Sequence, residues 1–129
     1  MTRRLFLGFA LGGVLLGGCR DDCSNRMLYS SLSPGSELRV LVYTRSCDSA
    51  RQSLEINIAT PGAPDPGGRG NILSSAAFPV GSPDSLPRLR LEWRGRNRLV
   101  VHYPATLALA RQKDLVAAVH VSYVADAAR

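Results

Sequence analysis

Arg88-Leu89-Arg90-Leu91-Glu92-Trp93-Arg94-Gly95-Arg96-Asn97-Arg98-Leu99-Val100-Val101-His102-Tyr103 decides the fold class. Leu89, Leu91 and Trp93 fall on one side of an extended chain and Arg88, Arg90, Glu92 and Arg94 on the other, the period-two alternation of a strand with one buried face. Gly95-Arg96-Asn97 supplies turn chemistry and leads into Leu99, Val101 and Tyr103. The segment therefore predicts an antiparallel hairpin with Trp93 anchoring the core. A helix would place apolar residues three and four apart, and sustained spacing of that kind is hard to find in this chain.

Working outward, the same alternation recurs. Leu38, Val40 and Val42 alternate with Arg39, Leu41 and Tyr43, and Leu54, Ile56 and Ile58 alternate with Ser53, Glu55 and Asn57, both in segments suited to strands. Ser33-Pro34-Gly35-Ser36 reads as a turn before the first of these, and Cys47-Asp48-Ser49-Ala50 as the turn between them. Val119 to Val124 alternates again and predicts a closing strand. Leu107 and Leu109 fit a short strand or one to two helical turns. Residues 60–87 break the pattern with six of the eight prolines and five glycines, too much punctuation for a continuous sheet. They predict a long, mobile surface excursion, with Asn71-Ile72-Leu73 as a short edge strand and Ala76-Ala77-Phe78 folding back as an apolar plug. The expected fold class is all-β: a small antiparallel sandwich or curled sheet of about six short strands.

The amino-terminal end is of another kind. Arg3-Arg4 precedes residues 5–18, all fourteen of which are Leu, Phe, Gly, Ala or Val, and the run ends in Leu16-Gly17-Gly18-Cys19. A basic start, an apolar run and small residues before a cysteine are the features of a bacterial lipoprotein signal, cut after Gly18 once the Cys19 thiol carries diacylglycerol. The competing reading is a membrane-spanning helix. At 1.5 Å per residue the run covers roughly 21 Å, short of the about 30 Å of bilayer hydrocarbon and within the length of a signal-peptide apolar region. Thr2-Arg3-Arg4-Leu5-Phe6-Leu7 is also similar to the twin-arginine export motif, although an ordinary basic leader accounts for the same residues.

The domain boundaries follow: signal peptide over 1–18, lipidated start and short tether over 19–37, and a single β domain over 38–125 with its excursion at 60–87. Without the leader, 111 residues remain, enough for one modest core. Removing Arg3 and Arg4 leaves 14 bases against 10 acids, a net charge of +4. So mild an excess, at an extracytoplasmic address, argues against nucleic acid as a partner. With Cys19 acylated, Cys23 and Cys47 are an even pair in an oxidising compartment and are expected to form a disulfide, the alternative being two buried thiols. Outer-membrane residence, facing the periplasm, is preferred because Arg20 follows the lipidated cysteine where an acid can retain a lipoprotein in the inner membrane.

The order of Cys23, Ser33-Pro34-Gly35, Arg45-Ser46-Cys47-Asp48, Leu54 to Ile58, Gly70-Asn71-Ile72, Leu91-Glu92-Trp93 and Val119 to Tyr123 resembles a family of small uncharacterised bacterial lipoproteins. Ser46-Cys47-Asp48 stands where that family usually has Asp-Cys-Gly. The resemblance implies the β fold and the cysteine pair, and it implies no activity.

Candidate chemistry is sparse. His102 and His120 fall at polar-facing strand positions, lack the Cys or His cluster a metal site needs, and read as surface histidines, so no metal or cofactor is expected. Ser82-Pro83-Asp84-Ser85 lacks a nucleophile elbow and reads as a turn. Glu55 and Glu92 as paired glycosidase carboxylates would need a groove, and both alternate outward. No catalytic residue is nominated. The one patch with binding character is Arg88, Arg90, Arg94, Arg96 and Arg98, expected to gather five cations on one sheet surface or edge. It suits anionic headgroups or an acidic envelope protein, or simply a solvated face that blocks edge-to-edge pairing. The expected role is a membrane-anchored structural or protein-interaction module, with an envelope ligand-binding or inhibitor protein using residues 60–87 as the alternative.

Overall fold

A computed structural model describes residues 23–127. The expected signal peptide over 1–18 and the acylated Cys19 lie outside the described residues. The chain folds as β1 (Ser24–Leu32), β2 (Arg39–Ser46), β3 (Arg51–Ala59), β4 (Leu73–Ser75), β5 (Phe78–Pro79), a 3-10 turn (Pro83–Ser85), β6 (Arg90–Trp93), β7 (Arg98–Pro104), β8 (Leu109–Gln112), β9 (Leu115–Val116) and β10 (Val119–Asp126). Among the described residues it is all-β, with ten strands where about six were expected. Several of the additional ones are two to four residues long, too short to announce themselves by alternation.

The strands form two sheets. One has the order β1-β2-β3-β4-β8, with β5 attached to β3, and the other the order β6-β7-β10-β9. All pairs are antiparallel except β7 and β10, which run parallel in unbroken register from Arg98↔His120 to Pro104↔Asp126. The parallel pair arises because the chain leaves β7, adds β8 to the other sheet and returns through β9. Val40 and Val42 from β2, Leu54, Ile56 and Ile58 from β3, Leu99 and Val101 from β7, and Val119 and Val121 from β10 meet in one buried cluster between the sheets. Alternation thus does what the sequence suggests on the inner faces. Trp93 is half-buried and packs against this cluster rather than at its centre, with Nε1 lacking a hydrogen-bond partner.

Two expectations need correction, and one left open is decided. Residues 24–32 of the expected tether over 19–37 form β1, paired along its length with β2. A bulge between Met27 and Tyr29 interrupts the period-two pattern: Leu28 packs against the core cluster, and Tyr29 next to it is exposed. Tyr29 OH donates to Leu89 O, just ahead of β6, at 3.0 Å. The Asn71-Ile72-Leu73 segment leads into β4, which is no edge but lies between β3 and β8. The ambiguous stretch after Pro104 is strand β8, and β10 is central in its sheet.

The expected turns form as read. Ser33 anchors the first: its N–H donates to Leu38 O at 2.8 Å and its hydroxyl accepts from Leu38 N at 3.0 Å, while Gly35 takes φ 89°. In the second, Asp48 Oδ1 accepts from Ala50 N at 2.8 Å and Arg51 N at 2.9 Å. Cys23 and Cys47 are joined by a disulfide, which ties the start of β1 to this second turn.

Candidate anion-binding cleft

The residues that alternate away from the core on β2 and β3 do not face open water. Tyr43 lies opposite Glu55 and Arg45 opposite Ser53 across the strand pair. Over this polar row lies the first part of the proline- and glycine-rich excursion, held down by side chains. Asn25 Nδ2 donates to Pro66 O at 2.7 Å, Tyr43 OH to Gly68 O at 2.8 Å, and Arg45 Nη1 to Gly67 O at 3.0 Å. Asn71 clamps the end of the segment by accepting from Ile58 N at 2.7 Å and donating to Ile58 O at 2.8 Å. Proline- and glycine-rich backbone has few internal partners, so its carbonyls are available to such donors. The expected mobile excursion is therefore, from about Pro66 to Asn71, a fixed roof.

Glu55 is the consequence. Its outward position predicted solvent, yet it is 1% exposed. Buried carboxylates persist when their oxygens are answered by donors. Oε1 accepts from Ser53 Oγ at 2.8 Å; Oε2 accepts from Gly70 N at 3.1 Å and from Ser74 Oγ. Burial, and next the Glu55 charge, push the Tyr43 phenol up to about 12 against the opposing pull of Arg45.

Beside the roof and the disulfide opens a cleft of about 260 Å³, lined by Arg45, Arg51 and Arg69 together with Asp48, Gln52 and Ser53. Glu55 lies at its base. Arg45 Nη1 is steadied by Gly67 O and by Asn25 Oδ1 at 3.3 Å, and Arg51 Nη2 donates to Ala77 O at 3.2 Å. Among the described residues, none of these three arginines has a carboxylate oxygen within 4 Å. The two nearby carboxylates are otherwise engaged, Asp48 with turn amides and Glu55 with its three donors. Most of their guanidinium N–H groups have no hydrogen-bond partner among the described residues.

The hairpin arginines are arranged differently from the expected row of five. Arg90 and Arg94 share the outer face of the second sheet with Glu92, and Arg94 Nε lies 3.4 Å from Glu92 Oε1. Arg94, Arg98 and His120 line one shallow depression. Arg96 leaves the group, its guanidinium lying against Gly35, and Arg88 lines a separate hollow with Pro104, Thr106 and Asp126. A turn redirects side chains that strict alternation would have aligned.

His102 is also corrected, being 8% exposed rather than on the surface. Its Nε2 lies 3.2 Å from Glu92 Oε2, and its Nδ1 3.6 Å from Asp126 Oδ1. The His102 hydrogen bond, and next Arg94, hold the Glu92 carboxyl below its usual range. His120 is exposed and stands apart from His102. Glu55 and Glu92 belong to different sheets and share no groove. Ser82 to Ser85 forms a turn, Ser85 N donating to Ser82 O at 2.9 Å. Among the described residues, no three His, Cys, Asp or Glu side chains are grouped as a metal site would require.

Neither a family model, nor a curated protein, nor a solved structure matches this chain. The functional reading therefore rests on its own residues. The cleft arginines, at 45, 51 and 69, form no linear motif. The one signal for them was polar residues at outward positions of adjacent strands, Tyr43, Arg45, Glu55 and Asn57, followed by a segment rich enough in backbone acceptors to cover them.

Proposed function

We propose that this chain is a lipid-anchored envelope protein whose single β domain serves as a binding module at the membrane surface. The observation that carries the reading is the succession Arg3-Arg4, fourteen apolar residues, and Gly17-Gly18-Cys19, with Cys23 only four residues further on. Acylated Cys19 is the anchor, and the Cys23–Cys47 disulfide belongs to the oxidising side of the membrane. So short a connection seats the domain directly on the bilayer. The partner is another envelope component, a protein or an anionic group, met through an exposed surface.

Intact-mass measurement on protein extracted from membranes tests this. The expected species begins at Cys19 and carries fatty acyl groups, and Cys19→Ser yields a chain that keeps its leader. A membrane-derived species that starts at Met1 with an unmodified Cys19 overturns the anchor.

A second reading, an envelope ligand-binding protein, is favoured by the arginine-lined cleft next to the 66–71 roof. In this form the excursion supplies a wall of the site instead of a moving loop.

A further inference from the structure

We propose that Arg45, Arg51 and Arg69 form a binding site for a phosphate group carried by a lipid headgroup of the membrane to which the chain is anchored. The inference rests on the anchor reading for the source of the phosphate, and on the cleft alone for the chemistry.

The chemistry follows from what the cleft offers. Three guanidinium groups border about 260 Å³, room for a phosphate and a few waters but not for an extended chain. Guanidinium forks match phosphate oxygens in pairs, and a tetrahedral anion can accept from three sides at once where a carboxylate cannot. Asp48 and Glu55 lower the net charge of the lining to +1, three arginines against two carboxylates. A weakly charged ligand without directional acceptors would gain little there. The site is also held ready. Arg45 is positioned by Gly67 O and Asn25, and Arg51 by Ala77 O, all neutral partners that orient the cations without cancelling them. Less side-chain entropy is then lost when the anion arrives.

The source follows from position. Cys47 is part of the cleft lining, and its disulfide partner Cys23 lies four residues after Cys19. Four extended residues span at most ~14 Å. With the fatty chains of Cys19 in the bilayer, the Cys47 side of the cleft is kept within reach of the headgroup layer, where tethering raises the effective concentration of lipid phosphate. The hairpin arginines have neither feature. They lie on the other sheet, and Arg94 is matched by Glu92.

The test uses the full chain extracted from membranes in a non-ionic detergent and follows the arginine Nε–H resonances by NMR. One arm titrates inorganic phosphate, and the other adds phosphatidylglycerol to the micelles. Both arms are expected to shift the Arg45, Arg51 and Arg69 resonances saturably. Arg69→Gln removes a side chain that makes no hydrogen bond among the described residues, and is expected to weaken both responses about tenfold, the loss of one charge-assisted contact. Arg51→Gln acts likewise, whereas Arg90→Gln with Arg94→Gln leaves both responses unchanged. Absence of saturable shifts in both arms overturns the site. A response to inorganic phosphate without one to phosphatidylglycerol overturns the lipid source, and loss of response in the Arg90→Gln, Arg94→Gln protein places the anion elsewhere and overturns the assignment. Intact mass on the same sample separates a failed anchor from a failed cleft, because the inorganic phosphate arm does not depend on acylation.

Discussion

Gly70 is the position where the smallest change should do most harm. It is a buried residue of the roof itself, and a methyl group there would sit 2.3 Å from Ile56 O, 2.5 Å from Leu73 O and 2.7 Å from Ile56 N. All three are backbone atoms of neighbouring paired strands, so no side chain can swing aside. Relieving the closest contact to about 3.4 Å requires the roof to rise by roughly 1 Å, which breaks the 3.1 Å bond from Gly70 N to Glu55 Oε2. Overpacking costs about 1–3 kcal/mol, and a lost hydrogen bond to a charged group about 1.5–3. The restricted unfolded chain returns about 0.4–1 kcal/mol. Gly70→Ala is therefore expected to destabilise by about 2–5 kcal/mol, a fall in melting temperature of roughly 10–25 °C for a domain of this size. Gly62→Ala is the control, because nothing lies within 4 Å of its added methyl, and it should leave the melting temperature unchanged or slightly raised. Thermal unfolding of the oxidised proteins by circular dichroism measures both. A Gly70→Ala protein melting within about 3 °C of the parent would refute the argument that the roof is clamped to the sheet.

Three further outcomes are expected. The disulfide closes a loop of 25 residues (47 − 23 + 1), for which chain entropy gives roughly 3.5 kcal/mol, so Cys23→Ser with Cys47→Ser should lower the urea midpoint by that equivalent. Glu55→Ala strands the donors of Ser53, Ser74 and Gly70 and should cost about 3–5 kcal/mol, whereas Glu55→Gln keeps the shape and one acceptor and should cost about 1–2; equal losses in denaturant titration would count against a hydrogen-bonded carboxylate. Tyr43 and Tyr123 are raised from 10.0 to about 12, mainly by burial. A phenol raised in the folded state favours folding below its unfolded value, so their contribution is intact below pH 10 and lost as pH rises through about 12. Phenolate absorbance and urea midpoints over that range should move together, and Tyr43→Phe should reduce the alkaline loss.

Inner-face alternation made most of the fold legible. Val40 and Val42, Leu54 to Ile58, Leu99 and Val101, and Val119 and Val121 all point where period two puts them, because a sheet face against a core admits little else. β1 was hidden by its bulge, since the register shift between Met27 and Tyr29 interrupts the alternation by which a strand is read. The parallel pairing of β7 with β10 was hidden for another reason: alternation fixes which side a residue faces and says nothing about strand direction. Glu55, Tyr43 and Arg45 were misread because alternation separates two faces but cannot tell a solvated face from a roofed one. What roofs them is backbone, and backbone acceptors leave no trace in hydropathy.

Counting arginines pointed to the hairpin, where five lie within eleven residues, yet the physical case for anion binding is stronger at the cleft. Along an exposed strand each guanidinium is hydrated, screened by salt and free to rotate, and a neighbour such as Glu92 takes up part of its charge. The contribution of each further arginine there is small. In the cleft Arg45 is held by Gly67 O of the roof and Arg51 by Ala77 O, so the orientation of these two is set by folding and not by the ligand. Charge that has already been oriented and left without a counter-ion is what an anion can use. The roof has then two roles with one cause: its carbonyls, accepting from side chains of the sheet, bury Glu55 by anchoring the segment above it, and one of them holds Arg45 in place at the cleft.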